Sequence, residues 1–362
     1  MRRQSPLTRR QFLATASAAT ALAPHLNPEA VSDTASPLSA QLRIDCQSHL
    51  FCPEIVALME KRKNHPIVYR KGDDRYVQMG DWHRRILPKH SDVAAKLADM
   101  DANGISITAL SINDPGPEWF GSDGLAVAQM ANDFIAGVVK QHATRLFGLC
   151  VLPLQDMNAA LKELDRCVRG LGMKGILLYT NIAGRFPDEP QFRPLFARAV
   201  ALDVPVLLHP ALPVTADQVK GYEMISSLGN MFDNTIALTR LILSGLLDEF
   251  PKLNLVCPHL GGTLPYIIGR IDHQITVLKR GPQNLKRTPS EYLRQCYLDI
   301  VSPLPLAIRF GYDFMGADRL LFGSDHPWVD PKLIVEALKS LKLPQADEDR
   351  IFGGNAKRLF RL

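Results

Sequence analysis

The chain has 362 residues, of which 46% are hydrophobic and 22% are charged, so it can bury a sizeable core. It contains no apolar run near the ~20 residues that a bilayer-spanning helix needs, which excludes an integral membrane protein. The net charge of +5 comes largely from an N-terminal segment with four arginines and no acidic residue. The remaining chain therefore gives no compositional sign of nucleic-acid binding.

The N-terminus has the features of an export signal. It begins with a basic segment, continues with a weakly apolar stretch from Leu13 to Ala23, and ends that stretch with a small-x-small cleavage pattern. The pair Arg9-Arg10 followed by Phe-Leu resembles a twin-arginine signal, which predicts a periplasmic protein cleaved near Ala23. The alternative is a disordered basic tail. We assign residues 1–40 to the signal peptide and linker, and residues 41–362 to one domain.

Short apolar runs alternate with helical periodicity from residue 42 onward. The predicted strands are Arg43–Cys46, Ile105–Leu110, Leu146–Val151, Gly175–Leu178, Val204–Leu208, Leu253–Pro258, Cys296–Val301 and Leu320–Gly323. Their centres lie ~40 residues apart on average, the length of one strand–helix unit. The predicted fold is therefore α/β, a (β/α)8 TIM barrel. A doubly wound open sheet is the alternative, but it requires a Gly-rich turn where this chain has Cys46-Gln47-Ser48-His49.

The longest gap between predicted strands spans residues 53–91 and is rich in cationic and aromatic residues. An insertion after the first strand is expected to cover the mouth of the barrel, where substrates bind. Its positive charge suits an anionic substrate, so Arg70, Trp82 and Arg84 are candidate substrate contacts. The alternative is a solvated surface loop.

Polar side chains follow four of the predicted strands, and the carboxyl ends of parallel barrel strands meet at one mouth. His49, His209, His259 and Asp325 follow the first, fifth, sixth and eighth strands. Imidazole and carboxylate suit a divalent transition metal, and three ligands would leave a position for water or substrate. His259 precedes Leu260-Gly261-Gly262 and is a candidate for proton transfer. Each residue alone could be structural, whereas the joint pattern favours a metal centre.

With these residues the chain resembles the amidohydrolase superfamily. The closer resemblance is to the amidohydrolase-related branch that contains aminocarboxymuconate-semialdehyde decarboxylase and the aromatic-acid decarboxylases, and it covers residues ~42 to 362. The segments that carry it are Met100–Ile105, Phe250–Leu253, Pro258–Gly262, Phe322–Asp325 and Gly354–Ala356.

The resemblance implies one divalent metal, with zinc as the first expectation and manganese as the alternative. It assigns Gln47, His49, His209 and Asp325 to the metal, and His259 and Asp325 to catalysis. The family has histidine, or in some decarboxylases glutamate, at the position of Gln47. A neutral amide binds such a cation less well than imidazole or carboxylate, so we expect weaker metal binding.

Three functions remain open on these residues. The resemblance implies a non-oxidative decarboxylase of a small unsaturated or aromatic carboxylic acid. Lys174 precedes the fourth predicted strand, so it is not placed to bridge two metals, which favours a mononuclear site. The second function is hydrolysis of a lactone, ester or amide by a metal-activated water. The third is a barrel that binds a small carboxylate without turnover. Relatives of this type also lead us to expect a homodimer.

Overall fold

The computed structural model describes residues 41–362, so the predicted signal peptide and linker lie outside the described residues and export stays a prediction. The strands are β1 (Ile44–Asp45), β2 (His49–Leu50), β3 (Ile67–Lys71), β4 (Asp74–Met79), β5 (Trp82–Ile86), β6 (Ile107–Ile112), β7 (Leu146–Cys150), β8 (Gly175–Tyr179), β9 (Val206–His209), β10 (Leu255–Cys257), β11 (Tyr297–Asp299) and β12 (Leu320–Leu321). Within 41–362, no helix combines the length and the apolar character that crossing a bilayer requires.

Helices separate the parallel strands and cover the outside of the sheet. They are α1 (Pro53–Glu60), α2 (Val93–Ala102), α3 (Gly124–Gln141), α4 (Met157–Asp165), α5 (Arg193–Leu202), α6 (Ala216–Val219), α7 (Asn230–Leu243), α8 (Leu246–Glu249), α9 (Leu264–Asp272), α10 (Pro289–Gln295), α11 (Pro305–Met315), α12 (Pro331–Ser340), α13 (Gln345–Asp349) and α14 (Asn355–Phe360). The sequences of the parallel strands are continuous apolar runs because both faces of these strands are buried.

Eight parallel strands form the barrel in the order β1, β6, β7, β8, β9, β10, β11 and β12, and β2 continues from β1 along β6. Backbone contacts between the first and last strands close it. The amide of Cys46 donates to the carbonyl of Phe322 (2.9 Å), and Ser48 forms a parallel bridge with His326. The predicted (β/α)8 barrel is confirmed, and each of the eight predicted strands overlaps an observed one.

Side chains from successive strands fill the interior of the barrel. The members of this inner cluster include Ile44, Ala109, Phe147, Leu207, Val256, Tyr297 and Leu321, each from a different strand. Leu359 and Phe360 of α14 pack on the same cluster. The interior is thus a packed core, and the chemistry must lie at the carboxyl ends of the strands.

The insertion after the first strand is an ordered subdomain where the sequence indicated only a long loop. It contains α1 and an antiparallel sheet of β3, β4 and β5. Met79 and Trp82 of this sheet pack against Val219 and Ile225, which lie in the segment after β9. The Trp82 indole Nε1–H also donates to Ser226 Oγ (3.0 Å). The sheet is therefore attached to the mouth side of the barrel.

A strained turn follows β10. Four consecutive residues, His259 to Gly262, have positive φ angles of 53°, 55°, 73° and 66°. Gly262 lies against α7, where a Cβ atom would come within 2.4 Å of the Met231 carbonyl oxygen and 2.5 Å of Thr235 Oγ1. Glycine is needed at this position both for its φ angle and for the close approach.

We expect Gly262→Ala to destabilise the protein by roughly 3 kcal/mol, because it combines backbone strain with overpacking against α7. Gly269→Ala is the matched control. Gly269 lies inside α9 with open space around its Cβ position, so alanine should be neutral or stabilise by up to about 1 kcal/mol. Denaturant unfolding of both variants measures the difference. Equal stability of the two variants would contradict this account of the turn.

Candidate metal centre

Three side chains from distant parts of the chain converge at the mouth of the barrel. His49, His209 and Asp325 each offer a ligand atom, and these atoms lie within 4.8 Å of one another. His49 Nε2 is 3.3 Å from Asp325 Oδ1, and the two imidazole rings meet edge-on with centroids 4.5 Å apart. The structure thus brings together the three ligands predicted from the strand ends.

The hydrogen bonds of His49 determine which of its nitrogens faces the centre. Ser111 Oγ donates its proton to the Ser48 carbonyl (3.1 Å), so it can only accept from Nδ1–H of His49 (2.8 Å). Nε2 of His49 is buried and has no hydrogen-bond partner. Its lone pair therefore points into the centre, as metal ligation requires.

His209 is oriented in the same sense. Its Nδ1–H donates to the carbonyl oxygen of Pro210 (2.8 Å), which leaves Nε2 without a proton. Burial, and after it the proximity of His49, lowers the pKa of His209 well below its usual value. The imidazole therefore stays neutral at physiological pH and competent to bind a cation.

Gln47 lies beside this cluster, as predicted. Its Nε2 faces Asp325 Oδ1 at 3.4 Å, and its buried Oε1 has no hydrogen-bond partner. Gln47 Oε1 and His49 Nε2 therefore each bring an unpaired lone pair close to the negative charge of the Asp325 carboxylate. Such an arrangement is costly unless a cation neutralises it, so these residues fit a divalent metal.

The Asp325 carboxylate joins the ligand cluster to His259. Oδ1 faces His49, whereas Oδ2 lies 3.7 Å from His259 Nε2. Burial alone would raise the pKa of Asp325, but the interaction with His259 outweighs it and lowers the pKa strongly. Asp325 also has a positive φ of 58° and donates its amide to the Gln47 carbonyl (3.0 Å). This backbone hydrogen bond helps to keep Asp325 in its strained conformation, with the carboxylate between the two histidines.

His259 is held by two residues that the strand-end pattern did not reveal. Nδ2 of the Asn234 side-chain amide, on α7, lies 3.1 Å from His259 Nδ1, and an NH2 group in this position requires Nδ1 to accept. The backbone amide of His259 donates to Asp299 Oδ1 (2.7 Å). Burial lowers the pKa of His259, but the interaction with Asp325 outweighs it and the net shift is upward. The neutral ring then carries its proton on Nε2, the nitrogen that faces Asp325.

A second buried polar network lies behind the metal ligands. The Asp45 carboxylate accepts from the amides of Gln47 (3.1 Å) and Ser324 (2.9 Å), and so connects β1 to the end of β12. Lys96 of α2 is buried and donates to His326 Nδ1 (2.8 Å). Burial lowers the pKa of Lys96, and the charge of Asp45 offsets part of that shift. The sequence did not predict the burial of Lys96, because a lysine on a helix is usually exposed to solvent.

The predicted substrate contacts occupy three different environments. Arg70 is exposed on β3, where its cross-strand neighbour is Arg75. Trp82 is buried and attaches the inserted sheet to the segment after β9. Arg84 is largely buried and forms an ion pair with Asp114 (2.7 Å). The structure thus does not bring Arg70 to the metal ligands, and it supplies Arg84 with a partner from the protein itself.

Lys174 lies at the amino end of β8, and its backbone amide bonds to Gly148. The carboxyl end of the same strand carries Tyr179, which pairs with His209. This position agrees with the prediction that Lys174 does not bridge two metals, and with a mononuclear centre.

Comparisons with known proteins agree with this architecture. Residues 44–362 match the sequence model of the family described as amidohydrolase. The chain is 32% identical over 300 residues to gamma-resorcylate decarboxylase of Rhizobium sp. (strain MTP-10005), covering 78% of this chain and 91% of the relative.

Solved structures extend the similarity to the fold. The 5-carboxyvanillate decarboxylase of Sphingomonas paucimobilis superposes with a TM-score of 0.79 at 26% identity, covering 89% of this chain and 99% of that one. A dihydroxybenzoic acid decarboxylase of Polaromonas sp. JS666, with bound manganese and the inhibitor 2-nitroresorcinol, gives a TM-score of 0.74 at 28% identity. It covers 89% of this chain and 97% of that one.

Gln47→Glu tests the role of the amide. A second carboxylate beside Asp325 should lower the melting temperature of the metal-free protein through like-charge repulsion. It should also tighten metal binding roughly tenfold, which corresponds to about 1.4 kcal/mol. Thermal melts with and without manganese or zinc measure both effects, since a ligand that binds the folded state raises stability. Gln47→Leu is the control and should weaken binding. An unchanged affinity in both variants would contradict ligation by Gln47.

Asn234→Leu tests the positioning of His259. Without the amide donor, the imidazole proton of His259 should redistribute between Nδ1 and Nε2 in the neutral form. Nitrogen NMR of labelled histidine at pH 8 reports the tautomer directly. Asn234→Gln should restore part of the Nε2–H population. The Nε2–H tautomer persisting unchanged in the leucine variant would exclude this role for Asn234.

Proposed function

The chain belongs to the amidohydrolase family, and we propose that it is a metal-dependent, non-oxidative decarboxylase of a small aromatic carboxylic acid. One observation carries the proposal. His259 Nε2 lies 3.7 Å from Asp325 Oδ2, on the other side of that carboxylate from His49, whose Nε2 lies 3.3 Å from Oδ1. The site therefore places a proton donor beside a cation site that is suited to bind a carboxylate.

The metal held by His49, His209, Asp325 and Gln47 would supply a positive charge that orients the substrate carboxylate or a neighbouring hydroxyl. In the reaction the bond between the ring carbon and the carboxylate breaks, carbon dioxide leaves, and the ring carbon takes up one proton. His259 provides that proton from Nε2. Asp325 Oδ2 lies 3.7 Å from His259 Nε2 and stabilises the protonated imidazole ring of His259 before the proton is transferred.

The environment of His259 favours the acid role. The charge of Asp325 raises the pKa of His259 above its usual value despite burial, so a larger fraction of the ring is protonated near neutral pH. As pH rises through this pKa the donor is lost, so activity should fall on the alkaline side. The inserted sheet packs on the segment that follows β9 and His209, and a decarboxylation needs no attacking water at this mouth.

The identity of the metal is part of the proposal. Zinc is the expectation from the ligand types, and manganese is the metal named for the Polaromonas structure. An amide oxygen and a carboxylate beside two imidazoles accommodate either ion. Elemental analysis of protein purified without chelator identifies the ion, and we expect about one per chain.

Carbon dioxide release from a panel of hydroxybenzoates and muconate-type acids tests the function. We expect release from at least one aromatic acid, with the product carrying hydrogen at the former carboxylate position. His259→Gln should lower kcat by roughly 100-fold or more and leave the metal content unchanged. Chelation should abolish release, and added metal should restore it.

Two results would overturn the proposal. Turnover of lactones or esters without carbon dioxide release from any acid would indicate a hydrolase. Binding of carboxylates without turnover, in protein that retains its metal, would indicate a binding protein.

A further inference from the structure

Three buried polar atoms near the metal ligands have no hydrogen-bond partner. They are Asp114 Oδ2, Glu118 Oε1 and the Tyr179 hydroxyl. Asp114 is 1% exposed and Tyr179 is 4% exposed. A buried polar atom without a partner costs about 1–3 kcal/mol, so such a cluster indicates a bound ligand as the missing partner. We call these three residues the acceptor wall.

The acceptor wall borders the metal ligands. Tyr179 ends β8 opposite His209 of β9, and their ring centroids are 6.1 Å apart. Asp114 follows β6, the strand that pairs with β2 and His49. A Cβ atom on Gly116 would lie 2.2 Å from Tyr179 Cε2 and 2.4 Å from Glu118 Oε2. Tyr179 and Glu118 thus converge over the backbone of Gly116, on the side of the mouth where β6 and β8 end.

The only cation that contacts this wall in the described chain is already neutralised. Arg84 donates to Asp114 Oδ1 (2.7 Å) and to the Asp114 carbonyl (2.8 Å). Its guanidinium also lies over the rings of Trp82 (4.1 Å) and Trp328 (5.1 Å). Although Arg84 Nε has no partner, the charge of the group is balanced by Asp114.

Glu118 adds a further carboxyl group to the wall. Its burial, together with the nearby Asp114, raises the pKa of Glu118 to about 8. The wall therefore consists of oxygen atoms that accept hydrogen bonds, with hydroxyl and carboxyl protons as neutral donors. A second carboxylate on a substrate would be desolvated beside these oxygens without a free cation to pair with.

We propose that the acceptor wall binds a hydroxyl or amino group on the substrate ring, and that the enzyme therefore selects aromatic monocarboxylic acids with such a group over dicarboxylic acids. This inference rests on the proposed decarboxylation for the placement of the reacting carboxylate at the metal. The acceptor wall then contacts a ring substituent other than that carboxylate. Such recognition is selective because an analogue without the donor leaves buried oxygens unpaired.

The test uses the metal-loaded protein and salicylates that carry hydroxyl, methoxy or carboxylate at ring position 3, 4 or 5. Calorimetry measures binding, and carbon dioxide release measures kcat/KM. At one or more positions the hydroxyl compound should bind roughly tenfold or more tightly than its methoxy and carboxylate counterparts.

Variants locate the discrimination. Tyr179→Phe and Glu118→Gln should each reduce the hydroxyl-to-methoxy affinity ratio, and the affinity for the methoxy compound should change little. Tyr312→Phe is the matched control, since its hydroxyl bonds to Asp347 away from the mouth. This variant should keep the wild-type ratio. Melting temperatures confirm that each variant is folded.

The outcomes separate this inference from the proposed function. Carbon dioxide release with equal or tighter binding of the dicarboxylic acids, or ratios unchanged in both wall variants, would overturn the acceptor wall alone. If no acid releases carbon dioxide, the proposed function fails. The binding ratios still decide whether the wall recognises a donor.

Discussion

The candidate metal centre depends on buried lone pairs that point toward one another, those of His49 Nε2, His209 Nε2 and Gln47 Oε1. Ser111 and the Pro210 carbonyl engage the Nδ1 atoms of His49 and His209, so both Nε2 atoms turn inward without protons. The Asp325 carboxylate joins them. This arrangement is unfavourable without a cation and favourable with one, so these residues fit a divalent metal.

The segments that carry the candidate ligands also close the barrel. The Asp325 amide donates to the Gln47 carbonyl, and the His49 amide donates to the His326 carbonyl (2.8 Å). The segments that carry the candidate ligands therefore form the seam, the place where the first and last strands of the barrel pair. Asp45 reinforces that seam through Ser324. The positions of the ligands are therefore set by backbone pairing, which is more rigid than loop packing.

The sequence predicted those features that depend on residues close together in the chain. Apolar runs predicted all eight barrel strands, and their polar ends identified His49, His209, His259 and Asp325. The inserted sheet and the pairing of Arg84 with Asp114 were not predicted, since they depend on partners distant in sequence. Asn234 and Lys96 lie on helices whose periodicity marks buried faces but not hydrogen-bond partners.

The separation of the ligands along the chain has a consequence for biosynthesis. Gln47 and Asp325 meet across 278 residues, so the nascent chain contains no complete metal site until the last barrel strand has left the ribosome. Contacts of such long range form late, because the entropy of closing the loop precedes any gain from the contact. A metal held by both residues would therefore bind only when the barrel is complete.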